Sequence, residues 1–436
     1  MKRILVLGAG LVSRPLVHYL TDREDLEVTV ASRTVSKAEA LVAGRERGKA
    51  VALNVKDEEA LEKLIAEHDI AVSLLPATEH NKVARLCLKH SKHMSTTSYL
   101  TADMLALEDE AKEKGLTFLN ECGVDPGIDH MSAMRVIHDA ERRGGKVVAF
   151  RSYCGGLPAP EANTNPIGYK FSWAPRGVLV AATNQAKFMM NGEIVEVPGD
   201  ELFKEPELVD VQGTGKFEGY PNRDSLPYID MYGLKDVKTM FRGTLRNLGH
   251  CESWYHWVKM GLFDQELRSD LESLTYLRFM QGFVDGAADV KKALSKKLDL
   301  PEDAPAITKL EWLGLMKDKP VPIDEGGNVD IMAARMLEKC PFQKNERDMI
   351  VLQHEFLINY PAGQEKVYST LVDYGLPGGD SSMARTVSLP VAIATRMIVE
   401  GRITERGVIA PVKPDVYNAI LDELATMDIV CEERLG

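Results

Sequence analysis

The strongest constraint on the fold is a rhythm that fills the first 123 residues. Short apolar runs, RILVLG (3–8), EVTVAS (27–32), AVALNV (50–55), DIAVSLLP (69–76), HMSTTSY (93–99) and LTFLNECG (116–123), read as strands. Between them lie helix-period segments such as SKAEALVA, DEEALEKLIAEH, HNKVARLCLKH and ADMLALEDEAKEKG. Strands that are apolar along most of their length must be covered on both faces. Joined by helices, they satisfy that need as a parallel sheet with helices packed on either side. The expectation is a doubly wound α/β unit.

After Gly145 the rhythm breaks. KVVAFRSYCGG reads as a strand that opens onto YCGGLPAPEANTNPIGYKFSWAPRGV, where neither a helix nor a strand period survives. Glycine lets backbone approach closely and proline fixes φ, so residues 154–177 read as a stiff, closely packed loop. GVLVAATNQAKFMMNG reads as a helix. Residues 252–318 are mostly helical in period, and 348–360 with 366–375 read as a hairpin. In SSMARTVSLPVAIATRMIVEG, Pro390 predicts a kink or a new helix start, because proline lacks the N–H a helix interior needs.

With 436 residues the chain has material for two or three domains. Its net charge of −12 argues against broad nucleic-acid or membrane binding, which calls for a basic field. No apolar run reaches membrane-spanning length, and Met-Lys-Arg leads directly into a strand rather than a secretion signal. Cysteines at 87, 122, 154, 251, 340 and 431 show no metal spacing. The expectation is free thiols in a reducing, cytoplasmic setting, with no metal.

GAGLVS puts Gly8 and Gly10 straight after the first strand, with Ser13 where a third glycine often stands. The first glycine permits the tight turn. The second lets a pyrophosphate approach backbone at a helix N-terminus, where free N–H groups and the helix dipole favour anions. The second strand ends in Ser32, Arg33 and Thr34 instead of the acidic residue that binds an NAD ribose. A guanidinium flanked by hydroxyls suits a 2′-phosphate, which favours NADP over NAD. Leu75 and Pro76, then Thr97, Ser98 and Tyr99, then Val124, Asp125, Pro126 and Gly127 follow later strand ends, where ligands of open α/β sheets gather. Downstream, Arg223, Arg242 and Arg246 occur in turn-like contexts and could grip carboxylates. Singly, each reads more readily as a surface ion pair than as a ligand.

The segments VLGAGLVSRP, SLLPATEH, TTSYLTADM, VDPGIDHM, SYCGGLPAPE, NPIGYKFSWAPRGV, GYPNRDS, FRGTLR, EWLGL and SSMARTVSLPVAIATRMIVEGRITERGVIAP together resemble the saccharopine dehydrogenases of the L-glutamate-forming type. The similarity runs from Met1 nearly to the C-terminus. It implies a Rossmann domain at 1–123 completed by about 385–436. It also implies an α/β substrate and dimerisation domain at 124–260 and 346–384, and a small helical domain at 261–345. The implied reaction joins L-glutamate to L-2-aminoadipate 6-semialdehyde and reduces the imine with NADPH to saccharopine. The family suggests a homodimer. Carried over, Gly8, Gly10, Leu11, Val12, Ser32, Arg33, Thr34, Asn54, Val55, Leu75, Thr97, Ser98, Val124, Asp125, Pro126 and Ser172 would hold the cofactor. Asn54 departs from the Asp expected in relatives. Ser98, Tyr99, Asp125, Arg223, Thr244, Leu245 and Arg246 would line the saccharopine site.

Tyr99, Asp125 and Cys154 are the ionisable groups that could face the reacting carbon, with orientation and binding favoured over acid–base work. Asp125 begins a D-P-G turn, where it could instead be a helix N-cap. Tyr99 could be a packed phenol, and Cys154 a buried filler. His130 reads as a helix-packing histidine, or as a base. With Ser172 reaching the cofactor, the 154–177 loop would form the floor under the nicotinamide. Two rivals stand beside this reading. One is a carboxynorspermidine-type reductive amination with a diamine donor. The other is a non-catalytic NADP sensor.

Overall fold

A computed structural model describes every residue from Met1 to Gly436. The chain forms two compact units. One comprises Met1–Lys146, Tyr360–Gly363 and Leu371–Leu435. The other comprises Val147–Asn359, Gln364–Thr370 and Gly436.

In the first unit the apolar runs become β1 (Lys2–Leu7), β2 (Leu26–Ser32), β3 (Gly48–Ala52), β4 (Ile70–Ser73), β5 (His93–Thr96) and β6 (Thr117–Leu119). All pair in parallel, in the order β3-β2-β1-β4-β5-β6, and the strand Gly407–Ile409 lies beside β6. This is the dinucleotide-binding strand order, with its reversal between β1 and β4. Ile4, Leu5, Val6 and Leu7 on the central β1 are all fully buried, as a strand covered on both faces requires. Each such side chain contributes about 1.5–3 kcal/mol by leaving water.

The C-terminal helix Ser382–Val399 packs against the first helix, Ser13–Thr21, and Thr395 hydrogen-bonds Ser95 on β5 at 2.7 Å. The new start expected at Pro390 is corrected: the helix runs through it. Proline costs a helix about 3 kcal/mol by removing one hydrogen bond and crowding the preceding turn. Here residues 388–398 are all buried, and that packing outweighs the local cost.

A second sheet has β7 (Lys146–Pro158), β8 (Ala186–Met190), β9 (Glu193–Val197), β10 (Glu207–Val211), β11 (Gly215–Pro221), β12 (Thr239–Arg246), β13 (Asp348–Tyr360) and β14 (Gly363–Tyr374), all of which, apart from the end residues of β7, β13 and β14, belong to the second unit. The sheet path runs β10-β11-β12-β7-β13-β14, and β8 joins β12 to β9. It is mixed: β12 is parallel to β7 and antiparallel to β11. The expected strands at 348–360 and 366–375 are present as β13 and β14.

Two expectations fail here. GVLVAATNQAKFMMNG is not one helix: Pro175–Ala181 is helical, and β8 and β9 then form a hairpin. Its turn is Asn191-Gly192, with φ of 53° and 88°, and Met190 pairs with Glu193. Asn-Gly between two runs is the strongest short hairpin signal, and it outweighs the helix period. Likewise, residues 154–158 are not loop but the end of β7. A Cβ on Gly155 would lie 2.7 Å from the Leu245 carbonyl oxygen, so the close approach this glycine allows is to strand β12.

Beyond Pro158 the stiffness is real. Asn165 accepts from the Ile167 N–H and donates to the Tyr169 carbonyl, both at 2.9 Å, and Asn247 donates to the Gly168 carbonyl at 2.8 Å. Tyr169 and Phe171 sink into a core shared with Trp254, Trp257 and Phe203. Helices Tyr276–Gln281, Val290–Leu298, Pro305–Leu313 and Asn328–Lys339 pack their apolar faces into the same core. No helix in the chain is long and apolar enough to cross a membrane.

Candidate functional site

In the first unit the candidate residues sit at or just beyond the C-terminal ends of the strands. Gly8 follows β1 with φ of +115°, and a Cβ there would lie 3.0 Å from the Leu74 carbonyl oxygen, so only glycine fits. The Gly10 N–H donates to Ser13 Oγ at 3.0 Å, and Ser13 Oγ lies 3.3 Å from the Gly8 carbonyl oxygen. Ser13 in the third-glycine position therefore ties the loop from within. The helix it opens has Val12 at its N-cap, no capping side chain and no acidic residue in its first turn. Its leading N–H groups and dipole remain available to an anion. Leu11 is exposed beside them.

At the end of β2, Ser32 Oγ accepts from the Thr34 N–H at 3.3 Å. Arg33 is exposed, and no protein carboxylate pairs with it. Asn54 accepts from the Lys56 N–H at 3.1 Å, and the Val55 carbonyl takes a long 3.4 Å bond from Lys82. Leu75, Thr97, Ser98 and Tyr99 are all half-buried. These groups fit an NADP molecule: a glycine turn no side chain could enter, an uncapped helix start, and a free guanidinium where an NAD site would carry an acid.

After β6 the chain turns back on the segment that follows β5. The Glu121 N–H donates to the Ser98 carbonyl at 3.0 Å, and Glu121 Oε1 accepts from the Leu100 N–H at 2.7 Å. This brings Tyr99 and Asp125 together: the Tyr99 hydroxyl donates to Asp125 Oδ1 at 3.2 Å. Val124 and Pro126 are buried on either side, and the Asp125–Pro126 peptide is cis. Asp125 is not an N-cap. The helix Ile128–Arg142 starts after Gly127, and Asp129 accepts from the Gly127 and His130 N–H groups at 2.5 and 2.8 Å. His130 is fully buried, with Nε2 2.6 Å from Glu121 Oε2. Its imidazole is packed in the interior and shares a hydrogen bond with the Glu121 carboxylate.

Two groups of this region escaped the sequence reading. Glu121 is a carboxylate just beyond a buried strand, and a buried charge demands partners, so LTFLNECG carried a usable signal. The second is His80. Its imidazole bridges Ser73 Oγ at 2.8 Å and Ser98 Oγ at 2.7 Å, and burial pushes its pKa down to about 4. Nothing local in the sequence marks that bridge.

In the second unit the strand register gathers Cys154, Thr244, Leu245 and Arg246. Cys154 on β7 pairs with Thr244 on β12, and Tyr220 on β11 lies opposite Thr244. Leu245 is fully buried and Cys154 nearly so. Arg246 ends β12 with 7% exposure, its guanidinium 5.1 Å from the centre of the Tyr169 ring. Nη1 donates to the Leu245 carbonyl at 2.8 Å, Nε has no acceptor, and no protein carboxylate pairs with the group. The Tyr169 hydroxyl also lacks an acceptor, and the indole of neighbouring Trp173 can only donate. A buried cation with no carboxylate partner and an unpartnered Nε is costly unless an anion supplies the missing acceptors.

Arg242, by contrast, is buried over the Tyr228 ring at 4.2 Å. Arg223 stands exposed in the turn after β11, with φ of +55° and its carbonyl bonded to the Lys187 N–H at 2.8 Å. Ser172 is half-buried between Phe171 and Trp173.

Known proteins are similar in sequence to this chain over its whole length. Residues 4–119 match the family model described as the saccharopine dehydrogenase NADP binding domain, and residues 123–429 the saccharopine dehydrogenase C-terminal domain. The chain is 40% identical to saccharopine dehydrogenase [NADP(+), L-glutamate-forming] of Schizosaccharomyces pombe, covering 100% of this chain and 99% of that protein. It is 38% identical to the mitochondrial alpha-aminoadipic semialdehyde synthase of Bos taurus, of which it spans 47%. The solved apo saccharopine dehydrogenase (L-Glu forming) of Saccharomyces cerevisiae superimposes with a TM-score of 0.91 at 38% identity, with both chains fully covered.

Proposed function

Because the chain belongs to the saccharopine dehydrogenase family, we infer that it carries out that family's reaction in lysine biosynthesis. It is an NADP-dependent oxidoreductase that interconverts L-saccharopine with L-glutamate and L-2-aminoadipate 6-semialdehyde. The observation that carries the substrate assignment is Arg246, a buried guanidinium with an unpartnered Nε and no protein carboxylate, which a tricarboxylate such as saccharopine would complete.

Roles follow residue by residue as proposals. Gly8, Gly10, Leu11 and Val12 take the pyrophosphate on the uncapped helix start. Ser32, Arg33 and Thr34 take the 2′-phosphate. Asn54, Val55, Leu75, Thr97, Ser98, Val124, Asp125, Pro126 and Ser172 line the rest of the dinucleotide. Bound NADPH supplies the hydride. Arg246 and Arg223 hold carboxylates, with Thr244 and Leu245 beside Arg246, and the Ser98 hydroxyl also faces the substrate. The Asp125 carboxylate stabilises the cationic nitrogen of the substrate imine, and the Tyr99 hydroxyl holds that carboxylate in place through its 3.2 Å bond. Cys154 packs beside Thr244; the reaction needs no covalent thiol, and its role is to shape the site. The substrate amine itself carries the proton between steps, so orientation is the protein's main contribution.

The chain works as a homodimer in the cytoplasm. The family resemblance supports the first proposal, and six free cysteines, five of them buried, support a reducing compartment. The test is NADPH oxidation with aminoadipate semialdehyde and either glutamate or a diamine as amine donor. Turnover with glutamate alone is expected; turnover with the diamine in preference would overturn the assignment.

A further inference from the structure

The Ser98 hydroxyl is held more firmly than a loop serine needs. Its amide donates to Thr96 Oγ1 at 3.3 Å and its carbonyl accepts from the Glu121 N–H at 3.0 Å, so the backbone is fixed from both sides. What remains free is χ1, and there His80 Nε2 meets the hydroxyl at 2.7 Å. The imidazole is itself anchored, because Nδ1 lies 2.8 Å from Ser73 Oγ, a fully buried hydroxyl at the end of β4.

We propose that His80 is a positioning residue that selects the rotamer of the Ser98 hydroxyl and aims it at the bound substrate, with Ser73 as its anchor. The proposal rests on the assignment of Ser98 to the ligand site.

Chemistry favours this use of the bridge. Burial keeps the imidazole neutral, with Glu79 opposing that effect only weakly, so the ring offers one N–H and one lone pair. With the proton on Nε2, the ring donates to Ser98, whose O–H then donates to a ligand oxygen. With the proton on Nδ1, the ring donates to Ser73 and accepts from Ser98, whose lone pairs then face a ligand N–H. In both tautomers every hydroxyl of the bridge is satisfied, and Ser98 keeps one directed valence for the ligand. An apolar side chain at position 80 would leave Ser73 buried without its partner and Ser98 free to rotate.

The test is a double-mutant cycle on kcat/KM for saccharopine at saturating NADP, with His80→Leu, Ser98→Ala and the pair. Each single variant is expected to lose about 5- to 30-fold, the worth of one directed hydrogen bond. The double variant should lose no more than Ser98→Ala alone, whereas a merely structural role would multiply the losses. His80→Gln, which keeps a donor and an acceptor, should recover part of the activity. Ser73→Ala gives a second route to the same result should His80→Leu fold poorly, because its loss should also vanish in the Ser98→Ala background. Multiplying losses, or a silent His80→Leu beside a costly Ser98→Ala, overturn the role of His80 and leave the substrate site standing. A silent Ser98→Ala overturns this proposal together with the assignment of Ser98 on which it rests.

Discussion

Arg33 stands at the end of β2 with Ser32 and Thr34 on either side and no carboxylate to hold it. A phosphate placed there gains charge-assisted hydrogen bonds worth about 1.5–3 kcal/mol each, while an acidic side chain would repel it. Arg33→Asp is therefore expected to lower kcat/KM for NADP about 100-fold and to shift preference towards NAD. An unchanged NADP-to-NAD ratio contradicts the role of Arg33. Single residues differed sharply in how legible they were. Gly8, Gly10 and Arg33 could be read because their meaning is fixed by distance from a predicted strand. Arg246 could not be told from Arg242 in FRGTLR, since burial without a carboxylate is a tertiary fact; only the family resemblance singled it out. His80 stayed hidden because its two serine partners, Ser73 and Ser98, reach it only through the pairing of β4 with β5.

At the level of elements, the pairing of β7 with β12 carries the second unit's candidate residues. Gly155 sits where a Cβ would fall 2.7 Å from the Leu245 carbonyl oxygen and 2.8 Å from its Cβ. Gly155→Ala would force the two strands apart. A loss of about 1–3 kcal/mol is expected, measured as a lower thermal midpoint. Because Leu245 directly precedes Arg246, KM for saccharopine should rise while affinity for NADPH holds. A variant with wild-type midpoint and KM would contradict this account of the strand contact. The parallel sheet was legible because its strands repeat one simple pattern, apolar run and amphipathic helix. The β8–β9 hairpin was misread because MMNGEIVEV follows a real helix, Pro175–Ala181, and the apolar period carried across the break. The strand character of 154–158 was hidden by its glycines and Pro158, which lower strand propensity but suit a strand that a neighbour approaches closely.

Across the whole molecule, stability should depend on histidines that cannot accept a proton in place. Burial lowers His80 and His93 from 6.5 to about 4, and His93 Nδ1 accepts from the Thr117 N–H at 3.0 Å, a bond that protonation removes. A histidine with a depressed folded pKa favours the folded state fully above its unfolded value, and that advantage is lost as pH falls from about 6.5 towards 4. For His80 the loss is on the order of 2 kcal/mol at pH 5. The thermal midpoint should fall between pH 7 and pH 5 and be flat from pH 7 to 8; a midpoint constant down to pH 5 contradicts the buried, neutral state of these rings. The central claim concerns Arg246, a buried guanidinium that the protein leaves without an acid. It is tested most directly by the kinetics of Arg246→Met, with saccharopine as the varied substrate and NADP saturating. KM for saccharopine is predicted to rise about 100-fold, as a lost charge-assisted carboxylate pair requires, with NADPH affinity unchanged. A wild-type KM for saccharopine in a folded Arg246→Met enzyme would contradict it.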